Sequence, residues 1–250
     1  MIDVHCHLLP GVDDGPKTWE EALALGLRLA EEGITLAVTT PHVFWGRYPN
    51  PEPERIREGV AQLNRALAGR LRVLSGAEVR IVPELRAWAE RVTRSAADGD
   101  RALLLNGASY VLLEFPPEVI PPGVEQLLFE LLTAGVRPIL AHPERNAALR
   151  YRPERLRRFV EQGCGIQVDA PSLLGDHGRE VQRVAAHWIE AGWVHVVASD
   201  AHGLRVRPPK LRRAWEDVAR TYGEAIARTL FIENPKAIVE GADLSEIPAR

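Results

Sequence analysis

The chain has 250 residues, 46% of them hydrophobic and 26% charged, enough to bury a full core and ordinary for a soluble globular protein. A formal net charge of −3 leaves no basic field to draw nucleic acid or an anionic membrane. Two cysteines, Cys6 and Cys164, exclude a disulfide framework and a Cys-rich metal site, and they fit a reducing compartment.

No signal-peptide pattern opens the sequence and no run of ~18 apolar residues occurs, so a cytoplasmic location is expected, without membrane insertion. Apolar, β-branched runs alternate with helical patterns throughout, with no repeat or linker between them. This predicts βα units around a parallel sheet, in one domain over residues 1–250.

The first strand is expected over 2–6, running into His5-Cys6-His7, with His5 and His7 on one face and Cys6 on the other. Asp13 and Asp14 follow in the first βα loop. A helix over 18–32 has Thr18 as N-cap, Glu21 completing a capping-box pattern, and Gly33 to stop it. Strand 34–40 leads to His42, and helix 52–68 follows. Strand 71–80 carries Glu78, and helix 83–97 comes next. Strand 109–115 ends on Glu114, before helix 123–135. Strand 137–141 runs into His142-Pro143-Glu144-Arg145-Asn146, and helix 153–162 follows. Strand 164–169 precedes helix 177–191, and strand 194–199 leads to Asp200-Ala201-His202 with Arg207 beyond it. After helix 209–221, the tail should form a short helix over 235–240 and a loose end. Seven strands is one short of the usual eight, so the expected fold is α/β, a distorted seven-stranded TIM-like (β/α) barrel with its active site at the strand C-termini.

Polar residues at those strand ends repeat one theme: His5, His7, His42, Glu78, Glu114, His142, Asp200 and His202, with Asp13 and Asp14 in the first βα loop. A lone histidine at a strand end is ordinarily a solvated residue; the same placement on five strands is not. Mixed imidazole and carboxylate donors suit manganese, iron or zinc. One ion takes about three or four protein ligands, so the set implies two or three divalent ions with a bridging carboxylate. The guanidinium groups of Arg145 and Arg207, in loops beyond ligand strands, suit bidentate binding of phosphate. Glu144 is either the orienting partner of Arg145 or a surface charge. His177 and His187 lie in a helical pattern and should be solvated; His195 opens a strand away from the site and should be structural.

Other phosphatase chemistries fail on spacing. Six residues beyond Cys6 and Cys164 stand Val12 and Ala170, where a cysteine phosphatase needs arginine. No Asp-x-Asp ends a predicted strand, and neither a Gly-x-x-x-x-Gly-Lys-Ser/Thr loop nor a Gly-x-Ser-x-Gly elbow occurs.

Several segments carry a resemblance: Ile2-Asp3-Val4-His5-Cys6-His7, Val12-Asp13-Asp14-Gly15-Pro16, Thr40-Pro41-His42, Gly76-Ala77-Glu78, Leu113-Glu114-Phe115-Pro116, Ala141-His142-Pro143-Glu144-Arg145-Asn146, Ser199-Asp200-Ala201-His202 and Arg207-Pro208-Pro209. In this order they resemble the bacterial capsular-polysaccharide metal-dependent protein-tyrosine phosphatases of the polymerase-and-histidinol-phosphatase (PHP) superfamily. The resemblance implies a distorted barrel with three metals, often manganese. One would take His5, His7, Glu78 and Asp200; a second would share Glu78 and take Glu114 and His142; the third would take His42, His202 and Asp14. Arg145 and Arg207 would hold the phosphoryl oxygens, with Arg205 competing for the second role. The implied activity is phosphomonoester hydrolysis by metal-activated hydroxide, on a phosphotyrosine protein such as a bacterial tyrosine kinase that controls exopolysaccharide synthesis. The alternatives are a small-molecule phosphatase such as histidinol-phosphate phosphatase, a non-catalytic metal-binding regulatory protein, and an amidohydrolase, which usually needs a strand-end lysine that this chain lacks.

Overall fold

The computed structural model describes residues 1–94 and 101–249. Its strands are β1 (Ile2–Cys6), β2 (Leu36–Thr39), β3 (His42–Val43), β4 (Arg72–Ser75), β5 (Glu78–Arg80), β6 (Tyr110–Glu114), β7 (Arg137–Ala141), β8 (Gly165–Asp169) and β9 (Val196–Ala198). All named pairings are parallel, in two sheets ordered β1-β2-β4 and β3-β5-β6-β7-β8-β9.

The described residues thus hold nine strands, not the expected seven. The expected strand 34–40 stops at Thr39, and His42 opens β3 just past Thr40-Pro41; Pro41 has no N–H to give a ladder. The expected strand 71–80 breaks at Gly76-Ala77. A Cβ on Gly76 would stand 2.8 Å from side-chain atoms of Leu105 and Val38, so any other residue at the break would force those side chains to shift. β1 also meets the end of β9: Cys6 and Ala201 form a parallel bridge, His7 N donates to Ala201 O at 2.8 Å, and Asp200 N donates to His5 O at 2.9 Å.

Helices fill the intervals. Thr18 caps Trp19–Glu31 by accepting from Glu21 N at 3.3 Å, while the Glu21 carboxylate accepts from Lys17 N at 2.6 Å instead of completing the box on Thr18. The others on expected spans are Pro53–Leu67, Leu85–Arg94, Val124–Thr133, Pro153–Glu161, Arg179–Glu190 and Leu211–Tyr222. The expected helix 83–97 has its last residues, 95–97, outside the described ones. The short helix Asn234–Glu240 is preceded by an unexpected helix, Glu224–Arg228, and a π-turn, Thr229–Glu233. The end of the chain is not loose: Asn234 bonds Ser245 through both its amide groups (2.8 and 2.7 Å), and Ile247 is buried.

The core has two parts. One lies between the sheets and the helices and includes Cys6, Leu113, Leu140 and Val197. The other is enclosed by the strands: Val4, Val38, Leu112, Ile139, Val196 and Ala198, joined by Ile238 and Val239 of the C-terminal helix. Alternation along each strand sorts its residues between the two. β1 breaks the alternation. Three steps on β1, Asp3 to Cys6, match two on β2, Ala37 to Thr39. Val4 therefore faces the inner cluster, whereas Cys6, two residues on, packs in the outer one. A bulge of this kind re-aims the side chains that follow it, here His5 and His7.

Candidate metal centre

Glu78, at the first position of β5 and 1% exposed, is the hub. Its Oε1 lies 2.8 Å from His142 Nε2. Its Oε2 lies 2.9 Å from His42 Nδ1, 3.3 Å from His5 Nε2 and 3.4 Å from His7 Nε2. Asp200 Oδ1 is 3.3 Å from His5 Nε2 and 3.6 Å from His7 Nε2. Asp14 Oδ1 lies 3.3 Å from His42 Nε2 and 3.2 Å from His202 Nε2. The structure thus brings all nine predicted ligand residues into one set of overlapping groups: His5, His7 and Asp200; His5, Glu78 and His142; His42, Glu78 and Glu114; and His7, Asp14, His42 and His202. Glu114 groups with His42 here, where the resemblance pairs it with His142.

The donors fit divalent cations on two observations. First, three imidazoles are anchored through Nδ1: His5 donates to Gln167 Oε1 at 2.9 Å, His7 to Asp13 Oδ2 at 2.7 Å, and His202 to Asp200 O at 2.8 Å. That turns each Nε2 toward the cluster, the orientation a metal-binding histidine is given by its outer partners. Second, Asp14 Oδ1, His42 Nδ1, Glu78 Oε2 and His202 Nε2 are buried and make no hydrogen bond. Buried polar atoms without partners are costly, and coordination would satisfy these.

The electrostatics agree. Burial alone would push His5 down, but the charges of Glu78 and Asp200 outweigh it and lift the imidazole to about 10. His42 is likewise lifted to about 10, by Glu78 and Asp14 against burial. Burial would raise Glu78 and Asp200, yet the facing imidazoles, with Arg145 and Arg207 on Asp200, hold both well below the carboxylate range. Glu114 is the exception, raised by burial and by the Glu78 charge. So much paired negative charge demands cations, as protons or as metal.

The arginines meet at Asp200. Arg145 Nη1 donates to Asp200 Oδ2 at 2.8 Å and to Asp169 Oδ2 at 3.0 Å. Arg207 donates to the same Asp200 oxygen at 3.2 Å and to Asp14 Oδ2 at 2.5 Å. Asp200 thus gives one oxygen to the guanidiniums and the other to the imidazoles. Arg205 is exposed, so Arg207 is the arginine at the site. His142, Asp200 and Arg207 all carry left-handed backbone, φ 31°, 48° and 49°, strained conformations for residues with a Cβ.

Several residues play other parts than expected. Asp13 is held down to about 2, because His7 outweighs the effect of burial, and it also accepts from His42 N at 3.1 Å. It is an ionised anchor for two ligands and belongs to none of the ligand groups itself. Glu144 is neither a surface charge nor a partner of Arg145: it is fully buried and accepts from Asp169 N at 3.0 Å and Ser172 Oγ at 2.6 Å. His177 is not helical or fully solvated; it stands half-buried in the loop before Arg179, 4.0 Å from Asp169 Oδ2. His187 is exposed on its helix, as expected. Four site neighbours were missed. Asp169 ends β8 and Gln167 precedes it on the same face, so the strand-end rule would have found both. Trp45, whose indole N–H donates to Glu114 Oε2 at 2.6 Å, and Arg80, 3.1 Å from the same oxygen, have no sequence signal.

His195 lies outside the site, buried, with Nδ1 accepting from Ile166 N at 3.2 Å. Burial holds its pKa below the ordinary value of about 6.5. The unfolded chain therefore gains a proton there more readily than the folded one, and this contribution to stability is full above about pH 6.5 and is lost as pH falls below it. In melting curves at pH 7.5 and 5.5, the wild type should lose more Tm than His195→Gln, which keeps an acceptor but does not titrate. Equal losses would remove His195 as a source of acid sensitivity.

Residues 1–240 match the family described as capsular polysaccharide synthesis, CpsB/CapC. The tyrosine-protein phosphatase YwqE of Bacillus subtilis is 35% identical over 248 residues, covering 98% of this chain and 91% of its own. The tyrosine-protein phosphatase CpsB of Streptococcus pneumoniae is 32% identical, covering 96% and 98%. Among solved structures, one from the pair YwqE of B. subtilis and CpsB of S. pneumoniae, metal-dependent tyrosine phosphatases, superposes with a TM-score of 0.90 at 33% identity, over 100% of this chain and 98% of that one. A lactonase from Listeria monocytogenes superposes at 0.59 and 14% identity over 95% and 94%, a likeness of fold alone. A full-length sequence match and the shared architecture lead to one conclusion: the chain belongs to the CpsB/CapC family of capsular polysaccharide synthesis proteins.

Proposed function

We propose that this protein is a metal-dependent phosphomonoesterase that hydrolyses phosphotyrosine in proteins, among them a bacterial tyrosine kinase controlling exopolysaccharide or capsule synthesis in the cytoplasm. Residues 1–250 act as one catalytic domain. Its scaffold is a distorted seven-stranded barrel. Support comes from the paired segments β2–β3 and β4–β5, each read as one broken strand, and from the β1–β9 backbone bonds that join the two sheets.

The observation that carries the reading is that Asp200 faces imidazoles with one oxygen and both arginines with the other. Phosphate-binding arms and cation ligands thus share one carboxylate. His5, His7, Glu78 and Asp200 would hold one ion, Glu78, Glu114 and His142 a second, and Asp14, His42 and His202 a third. Manganese is favoured over magnesium by the imidazole donors. When bound, such ions supply Lewis acidity, which lets a water ionise near neutral pH and draws charge from a phosphoryl oxygen. Arg145 and Arg207 bind the phosphoryl oxygens and neutralise charge gathering on them. Asp169 orients Arg145, and Asp13 and Gln167 fix the imidazoles. A phenolic leaving group has a pKa near ~10, so it departs without the strong protonation an alkoxide needs.

The test is metal analysis of the purified protein followed by assays on a phosphotyrosine peptide and on histidinol phosphate. Chelation should abolish hydrolysis of the peptide, and manganese should restore it better than magnesium. Preference for histidinol phosphate, or activity that survives chelation, would overturn the reading.

A further inference from the structure

The loop after His42 carries two half-buried aromatic rings, Trp45 and Tyr48, at the edge of the metal centre. Trp45 is fixed at three points. Its ring stacks on His42 with centroids 4.8 Å apart, its N–H donates to Glu114 Oε2 at 2.6 Å, and the Arg80 guanidinium lies 4.7 Å from its ring centroid. Tyr48 stands 6.0 Å from Trp45, with its ring parallel to His42 at 6.4 Å. The loop is itself a closed turn: Phe44 and Gly46 have left-handed φ of 59° and 76°, and Phe44 N donates to Asn50 Oδ1 at 2.7 Å. The Trp45 bond to Glu114 links the loop to a cavity of about 150 Å³ that Glu114 lines with Phe115, His142 and Arg145, and that neither Trp45 nor Tyr48 lines. Glu114, to which Trp45 is bonded, and Arg145, the phosphate arm, both line it.

We infer that Tyr48, backed by Trp45, is the aryl-recognition wall of this site and sets its preference for phosphate esters of aromatic over aliphatic alcohols. The inference rests on the phosphatase reading and goes beyond it by naming what reads the leaving group. Metals and arginines recognise only the phosphoryl end, which every phosphomonoester shares. Discrimination therefore needs a group that touches the remainder of the substrate. Rigid aromatic rings do this at small entropic cost, because they are already ordered and because offset or edge contacts between rings favour another ring over an alkyl chain. Tyr48 is the contact residue. Trp45 is a positioning residue, since its own contacts hold it to His42 and Glu114.

The experiment measures kcat/KM for phenyl phosphate and ethyl phosphate with the manganese-loaded protein, and inhibition constants of phenylphosphonate and methylphosphonate, which are not hydrolysed. Tyr48→Ala should lower the aryl-over-alkyl ratio in both measurements by about 2- to 12-fold, the fold-change equivalent to a ring–ring contact of roughly 0.5–1.5 kcal/mol. Tyr48→Phe should keep the wild-type ratio. Trp45→Phe, which retains a ring but loses the bond to Glu114, should lower the ratio in both measurements. A wild type that hydrolyses neither ester sinks the phosphatase reading and this inference together. A wild type that hydrolyses both, with ratios unchanged in Tyr48→Ala, overturns the aryl wall alone.

Discussion

Glu78→Gln is expected to remove bound metal and activity in the same step. Glu78 is the carboxylate against which four imidazoles converge, from His5, His7, His42 and His142, and it belongs to two of the four ligand groups. Glutamine keeps the shape but loses the charge and offers one oxygen where two are in use. Outer-sphere changes around a metal already cost about 10- to 100-fold in affinity or activity. Loss of a shared inner ligand should exceed about 100-fold. The fold should survive, because the helices pack on a separate outer cluster that does not include Glu78. Metal content by elemental analysis, activity and circular dichroism are read on the same sample. Full metal content at wild-type activity would refute the ligand assignment. Because His5 and His42 hold protons tightly when no ion displaces them, metal affinity should also weaken as pH falls.

Arg145→Ala is expected to separate binding of metal from catalysis. The guanidinium bonds Asp200 through Oδ2, the oxygen turned away from the ligand imidazoles, and Asp169 through Oδ2. Metal content should therefore stay at the wild-type level, while kcat/KM falls about 10²- to 10³-fold, as for loss of one donor to a developing oxyanion. Arg145→Lys should recover little, since a point charge cannot serve two carboxylates and a phosphoryl group with a planar fork. Inhibition by inorganic phosphate should weaken in parallel. Normal turnover in Arg145→Ala would take this side chain out of the site. Asp169, fully buried, loses the charged partner of its Oδ2 in this variant and keeps only the Gln167 amide on Oδ1, so a lower Tm is also expected.

Much of the centre was legible because strand alternation is a strong rule. Glu114 and Asp200 lie inward with Leu112 and with Val196 and Ala198, as counting by two requires. Counting fails at His142, whose left-handed backbone turns it into the centre although Leu140, two residues before, faces outward. Asp169 obeys the same strand-end rule and was missed only because the rule was applied to too few strands. His177 was misplaced because its polar, glycine-flanked segment looks helical, whereas Gly178 precedes the first helical residue, Arg179. Trp45 and Arg80 reach Glu114 from a loop and from the neighbouring strand β5, a meeting that only tertiary structure creates. The split strands reflect Pro41 and Gly76, each legible alone as a residue hostile to a continuous ladder or to close packing.

The extra residue in β1 has a consequence for how this chemistry is encoded. The same letters laid on an even pleat, with Val4 still facing inward, would turn both imidazoles toward the helical layer. A relative with these seven letters but no slip after Val4 would present the pair to its helices instead. Phase, more than spelling, makes the first strand a ligand.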